Sequence, residues 1–162
     1  METGFSTLYL FCLIEFALME IEAANLLDLA ALRHLGNICF GRDAWPLLDL
    51  IAVLTWPEVI RLKAVEAGEM IGFVAGDPRQ SKGVVWIAIL AVDPRFRRRG
   101  IGSALMLACE AQVNLPSMKL SVRISNEGAI NMYQKLGYQT SDIWQGYYND
   151  GEDGLVMTKK LT

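Results

Sequence analysis

The chain has 162 residues, 52% of them hydrophobic and 20% charged, with 15 basic against 18 acidic side chains and a net charge of −3. That composition excludes a disordered chain and suffices to bury a core in one domain of ordinary size. The mildly acidic balance argues against nucleic-acid binding, and Cys12, Cys39 and Cys109 lack metal-type spacing beside a single histidine, His34, so no metal site and a reduced cytoplasmic setting are expected.

Residues 1–18 read as an apolar N-terminal extension ahead of a domain spanning 19–162. Its run FSTLYLFCLIEFALM is interrupted by Glu15, follows Glu2 rather than a basic residue, and carries no small-residue cleavage site. It is also short for a bilayer, so neither a membrane span nor a signal peptide is expected. Two readings stand: an added segment that packs on the domain or joins a weak dimer, or a start placed upstream of the true one at Met19.

Residues 17–24 alternate loosely and predict a strand. Asn25 can cap the helix that follows, where Leu26, Leu29, Ala30, Leu32 and Arg33 recur at helical spacing. The turn-rich FGRDAWP leads to a second helix opened by Pro46. Two apolar runs around Ala67-Gly68-Glu69 predict a hairpin that ends at Gly76-Asp77-Pro78. Nearly every residue of GVVWIAILAV is apolar, which predicts a central strand buried on both faces. Ile101, Leu105, Ala108 and Cys109 share one face of a helix running to about Val113. MKLSVRI predicts a strand, Ser125 or Asn126 a cap for the helix EGAINMYQKL, and Gly137 its stop. GYYNDGEDGLVMTKKL closes the chain as a turn and a last strand. The order predicts one α/β domain with a mixed sheet.

Arg95, Arg97, Arg98 and Arg99 crowd the start of the third helix, where the helix dipole disfavours cations. A strand running through a glycine turn into a helix presents free backbone N–H groups, so an anion belongs there. Gly100 and Gly102 let that backbone approach phosphate closely. The turn lacks an acidic residue at dinucleotide spacing and a Gly-Lys-Ser/Thr ending, which disfavours Rossmann and nucleotide-triphosphate sites. The alternative is that the arginines form a solvated loop run, and for Arg95 both readings stand.

VDPRFRRRGIGSAL resembles the acetyl-CoA signature of the GCN5-related N-acetyltransferases, Arg/Gln-x-x-Gly-x-Gly/Ala, filled here by Arg97, Gly100 and Gly102. The resemblance extends to SVRISNEGAINMYQKLGY and GYYNDGEDGLVMTKKL, signatures of the protein N-alpha-acetyltransferase branch, and covers Met19 to Leu161. It implies a mixed sheet with splayed parallel strands flanked by helices. It also implies that the amides of Arg98, Arg99, Gly100, Ile101, Gly102 and Ser103 cradle the pyrophosphate of acetyl-CoA, with local arginines offsetting its charge. The backbone of Leu90, Ala91 and Val92 would meet the pantetheine arm, and Asn126 would touch that arm while capping its helix.

By the same resemblance Tyr133 is the general acid for the departing thiolate, a task that suits a phenol of pKa about 10. The other reading is a core aromatic. Ser121 stands where relatives carry glutamate or histidine as base, and serine can at best hold a water. Trp86 stands where some relatives have an assisting tyrosine, and the base is left to a water chain, a backbone carbonyl, or a carboxylate such as Asp49 or Glu58 from the substrate-side helices. Tyr147 and Tyr148 resemble tyrosines at a peptide entrance, or form an ordinary aromatic pair. The adjacent NDGED attracts a basic peptide or is a solvated turn. The expected activity is acetyl transfer to a protein or peptide N-terminal amine by a monomer or weak dimer. The alternatives are a small-amine acetyltransferase and a silent acyl-CoA-binding module.

Overall fold

A computed structural model of the chain describes residues 19–161, so the apolar extension of residues 1–18 lies outside the described residues. Strand β1 (Glu20–Ala23) is followed by Asn25, whose side chain accepts from the Leu27 N–H at 2.9 Å while Asp28 returns a bond to the Asn25 N–H at 2.9 Å. This reciprocal cap opens a 3-10 turn that runs into helix α1 (Leu29–Phe40). Pro46 precedes helix α2 (Leu47–Thr55). Strands β2 (Ile60–Glu66) and β3 (Glu69–Arg79) form the expected hairpin, its two-residue turn held by positive φ at both Ala67 (50°) and Gly68 (78°). Strand β4 (Val84–Val92), helix α3 (Ile101–Glu110), strand β5 (Ser117–Arg123) and helix α4 (Glu127–Lys135) follow. Gly137, at φ 93°, ends α4 with bonds from the Gly137 N–H to Gln134 and from the Tyr138 N–H to Tyr133. Strands β6 (Gln139–Trp144) and β7 (Gly154–Lys160) complete the chain.

The seven strands lie in the order β1-β2-β3-β4-β5-β7-β6. Only β4 and β5 are parallel, and they pair for three residues, Val84 with Ser117, Val85 with Met118 and Trp86 with Lys119. Past Trp86 they diverge, while β4 stays paired to β3 as far as Val92 and β5 to β7 as far as Arg123. Helices α1 and α2 cover one face through Leu32, Leu35, Leu50, Phe73, Ile89 and Ala91. Helix α3 and Tyr133 of α4 cover the other through Ile101, Leu105, Met106, Met118 and Leu120.

Two expectations about strands need correcting. The sequence reading placed six strands, and the structure has a seventh, β6, between α4 and the final turn. Its residues are exposed along nearly the whole length and slip register between Thr140 and Asp142, so it lacks the alternating apolar signal of a half-buried strand. Strand β4 is not buried on both faces throughout: Trp86, Ala88, Leu90 and Val92 remain partly exposed because β5 leaves its side.

Candidate active site

The turn between β4 and α3 starts at Asp93, which is 2% exposed. Its carboxylate accepts the Arg95 N–H at 2.8 Å and the Arg95 guanidinium, whose Nη2 lies 2.7 Å away, and this pairing pulls its pKa below the usual carboxylate range. Arg95 also bonds Glu69, so its side chain braces the turn against the β2–β3 hairpin. Arg98 (φ 66°) and Gly100 (φ 78°) take left-handed conformations that swing the chain into α3. Ala104 is the first residue to donate back, to the Gly100 carbonyl at 2.9 Å. The six N–H groups of Arg98, Arg99, Gly100, Ile101, Gly102 and Ser103 bond no described residue. They form a concave row of donors at a helix start, a fit for a pyrophosphate.

The arginine side chains divide. Arg99 makes a two-pronged bond to Glu66 at 2.6 and 3.0 Å, which lowers the Glu66 pKa, and Arg97 donates through Nε to the Val92 carbonyl at 3.2 Å. Among the described residues Arg98 has no ion pair. The expectation that Arg97 to Arg99 all offset an anion therefore needs correcting for Arg99, which is neutralised by β2. The two glycines divide as well. A Cβ at Gly100 would meet nothing within 4 Å, so its φ is what matters there. A Cβ at Gly102 would lie 3.0 Å from Met132 Sδ and 3.7 Å from Val92 Cγ2, so Gly102 serves the packing of α3 against α4 and β4.

Where β4 and β5 diverge, the β4 backbone is open on one side. The Asp93 N–H donates to the Ile71 carbonyl at 2.9 Å, which fixes the alternation along the strand. Ala91 thus shares the β3-facing side, opposite Phe73, and Leu90 and Val92 present their N–H groups to the gap. Of the three expected backbone positions, Ala91 is turned away. The Val92 carbonyl is already taken by Arg97 and by the Cys39 thiol at 3.3 Å. Ala88 is the extra residue of a bulge between the Ala75–Ile89 and Gly76–Ile87 pairs.

Tyr133 is 6% exposed, packs edge-to-face on Tyr138 at 5.8 Å, and donates to no described residue. Burial, with a smaller contribution from Tyr148, pushes its phenol well above the ordinary value of about 10. Asn126 caps α4 by accepting the Ala129 N–H at 3.2 Å, which leaves its amide NH₂ available. Ser121 and Arg123 share the α1/α2 side of β5. Ser121 lies near the Tyr148 phenol, whose pKa burial raises and Ser121 and Arg123 pull back. Tyr147 and Tyr148 meet edge-to-face at 5.2 Å, Tyr147 packs on Trp144 at 4.9 Å, and Trp144 stacks on Trp86 at 5.4 Å. Arg79, whose guanidinium lies 5.2 Å from the centre of the Trp86 ring, also lines a cleft of about 600 Å³ with Trp45, Asp49, Trp56, Asp77 and Ala88.

NDGED forms an exposed turn in which Asp150 and Glu152 both bind Arg123. Glu152 also accepts the Ser125 N–H at 2.9 Å, and these bonds bring its pKa down to about 2. Asp49 lies in the cleft wall, and Glu58 and His34 are exposed, with His34 on the outer side of α1 beside Leu26 and Leu27. Sequence reasoning missed Arg123, Asp43 and Trp144. The one available signal was an arginine two residues after Ser121, hence on the same strand face. Among the described residues no cluster of His, Cys, Asp or Glu could hold a metal, and no helix is long and apolar enough to cross a membrane.

The described residues thus place a row of free amides in the turn that follows β4, beyond the point where β4 and β5 part. Residues 29–138, well over half the chain, match the Acetyltransferase (GNAT) family. The chain belongs to that family. This GNAT acetyltransferase is 40% identical over 161 residues to an N-alpha-acetyltransferase of Sulfurisphaera tokodaii, covering 88% of this chain and 93% of the relative. It is 27% identical over 151 residues to N-alpha-acetyltransferase daf-31 of Caenorhabditis elegans, covering 88% and 83%. Among solved structures, Ard1 from Thermoplasma volcanium superposes with a TM-score of 0.77 at 30% identity over 89% of this chain and 98% of that one. The ribosomal-protein-S18-alanine N-acetyltransferase of Escherichia coli shares the fold at a TM-score of 0.80 and 24% identity, covering 90% and 95%.

Proposed function

We propose that this GNAT acetyltransferase moves the acetyl group of acetyl-CoA to the N-terminal α-amine of a protein or peptide. The observation that carries the reading is the loss of β4–β5 pairing after Trp86, which leaves the Leu90 and Val92 amides unpaired shortly before the free donor row of Arg98 to Ser103 in the following turn. Related proteins solved with acetyl-CoA or coenzyme A share the fold, and the relatives above are N-alpha-acetyltransferases. Bound in the gap, acetyl-CoA supplies the activated acetyl group.

The chain's own residues divide the remaining work. The helix-start amides hold phosphate, and the dipole of α3 favours its charge. The Leu90 and Val92 N–H groups act as preorganised donors along the gap. Tyr133 stays protonated throughout the physiological range and serves as a donor. Its raised pKa makes outright proton release costlier than an ordinary phenol's, so hydrogen bonding toward the leaving sulfur is its first contribution. Ser121 and Tyr148 together can hold a water but supply no strong base. An α-amine with pKa about 7.7–8.0 needs little help near neutral pH, whereas a lysine amine at about 10.4 needs a base.

Peptides with different first residues, run beside polyamines and free amino acids with thiol release as readout, test the reading. Turnover on peptides supports it. Turnover on small amines alone, or coenzyme A binding without any turnover, overturns it.

A further inference from the structure

One side chain of β5 touches both the segment joining α1 to α2 and the segment joining β6 to β7. Arg123, at the end of β5, donates through Nη1 to Asp150 at 2.8 and 3.0 Å and to Glu152 at 2.7 Å. Its Nη2 bonds Asp43, which belongs to the 3-10 turn Gly41–Asp43 between α1 and α2. The guanidinium carbon lies 4.1 Å from the centre of the Tyr148 ring, a cation–π contact. Glu152 carries the connection onward by accepting the Ser125 N–H at the entry to α4, next to Asn126.

We propose that Arg123 is a positioning residue that fastens the segment joining α1 to α2 and the segment joining β6 to β7 to the end of β5, and that these two segments together position the acceptor. The proposal rests on the acceptor-amine reading for its kinetic consequence only. A planar guanidinium with five donors can serve three carboxylates from two segments at once, which a lysine cannot do. The ion pairs are partly exposed, with Arg123 at 24% side-chain exposure, Asp43 at 36% and Asp150 at 61%. Such pairs contribute little to global stability. Their effect is local: they hold Trp45, two residues beyond Asp43, and Tyr147 and Tyr148, just before Asp150, at a fixed separation across the splayed strands. The aromatic contacts along Trp144, Tyr147 and Tyr148 then have one geometry.

Hydrogen exchange on the full chain tests the fastening without any turnover. The readable amides are Ala44 in the first segment and Gly146, Tyr148 and Gly151 in the second, all hydrogen-bonded in the structure. Arg123→Gln should speed exchange in both segments by about tenfold or more while β3 and α3 are unchanged. Asp43→Asn should loosen the first segment alone. In steady-state assays with a turned-over acceptor, Arg123→Gln should raise the acceptor KM about tenfold, leave the coenzyme A Kd within about twofold, and be only partly rescued by Arg123→Lys. Unchanged exchange in either segment of Arg123→Gln, or acceptor KM and coenzyme A Kd rising together, overturns the proposal. Should Arg123→Gln not fold, Asp43→Asn and Asp150→Asn carry the exchange test, and a segment that stays protected when its own carboxylate is removed overturns it. Absence of peptide turnover by the wild type counts against the proposed acceptor and leaves the exchange result to decide this inference.

Discussion

Tyr133 combines a place in the core with the role of donor proposed above. It stands in the core beside Tyr138, and its phenol has no described partner, so burial is what fixes its chemistry. Tyr133→Phe is expected to lower turnover about 10²-fold with coenzyme A affinity little changed, measured by initial rates and calorimetric titration. Because the folded phenol titrates well above about 10, the wild-type rate should show no Tyr133-dependent fall on the alkaline side up to that pH. At the vacant base position, Ser121→Glu should shift the pH–rate profile toward lower pH for α-amine acceptors, with Tyr148 and Arg123 close enough to pair the new carboxylate. An unshifted profile would show that Ser121 lies off the proton path.

The β4–α3 turn shows how an element can be fastened by charges that look superfluous in the sequence. Two of its four arginines are spent on Asp93, Glu69 and Glu66, which lock the turn to the β2–β3 hairpin so that its amides face outward. Its two glycines should respond differently to substitution. Gly100→Ala adds only backbone strain, about 1 kcal/mol at a positive φ, because the space around it is open. Gly102→Val drives a side chain into Met132 and Val92 and should cost about 1–3 kcal/mol of stability as well as cofactor affinity. Denaturant melts of both variants beside coenzyme A titrations separate strain from crowding. Equal losses would mean that the α3–α4 contact is soft.

At the scale of the molecule, carboxylates tied to arginine set the acid side of the stability curve. Glu66, Asp93, Asp150 and Glu152 all have folded pKa values below their unfolded ones, Glu152 at about 2. Their contribution is therefore complete above the ordinary carboxylate range and is lost as pH falls toward the folded values. Stability should decline from about pH 4.5 downward, and Arg123→Gln should flatten that slope only slightly, because the Ser125 bonds still hold Glu152 and the Glu152 N–H still holds Asp150. Thermal melts from pH 2 to 7 would show it, and identical slopes in variant and wild type would count against it. Lys63, paired with Asp28 at 2.7 Å, has a raised pKa, so its contribution persists at neutral pH and fades only in strong alkali.

The helices, the hairpin and the anion turn were legible because each carries a local signal: Asn25 and Asn126 as caps, Ala67-Gly68 as a turn, Gly137 as a stop, and glycines spaced for a phosphate. Strand β6 was not, since an exposed edge strand owes its place to pairing with β7 rather than to an apolar pattern of its own. The resemblance pointed to Leu90, Ala91 and Val92 together, but which amides face the gap depends on a strand pairing that stops at Trp86 and on a bulge at Ala88. The same holds for charge. Linear order crowds Arg95, Arg97, Arg98 and Arg99 together, and only the fold delivers Glu69 and Glu66 to neutralise two of them. Sequence by itself determined the family and every element except β6, because these rest on motifs and signals between near neighbours. Tertiary structure alone decided which arginines remain for an anion and that Asp43, Asp150 and Glu152 converge on Arg123, because ion pairs between residues up to 80 positions apart form only where the sheet brings them together.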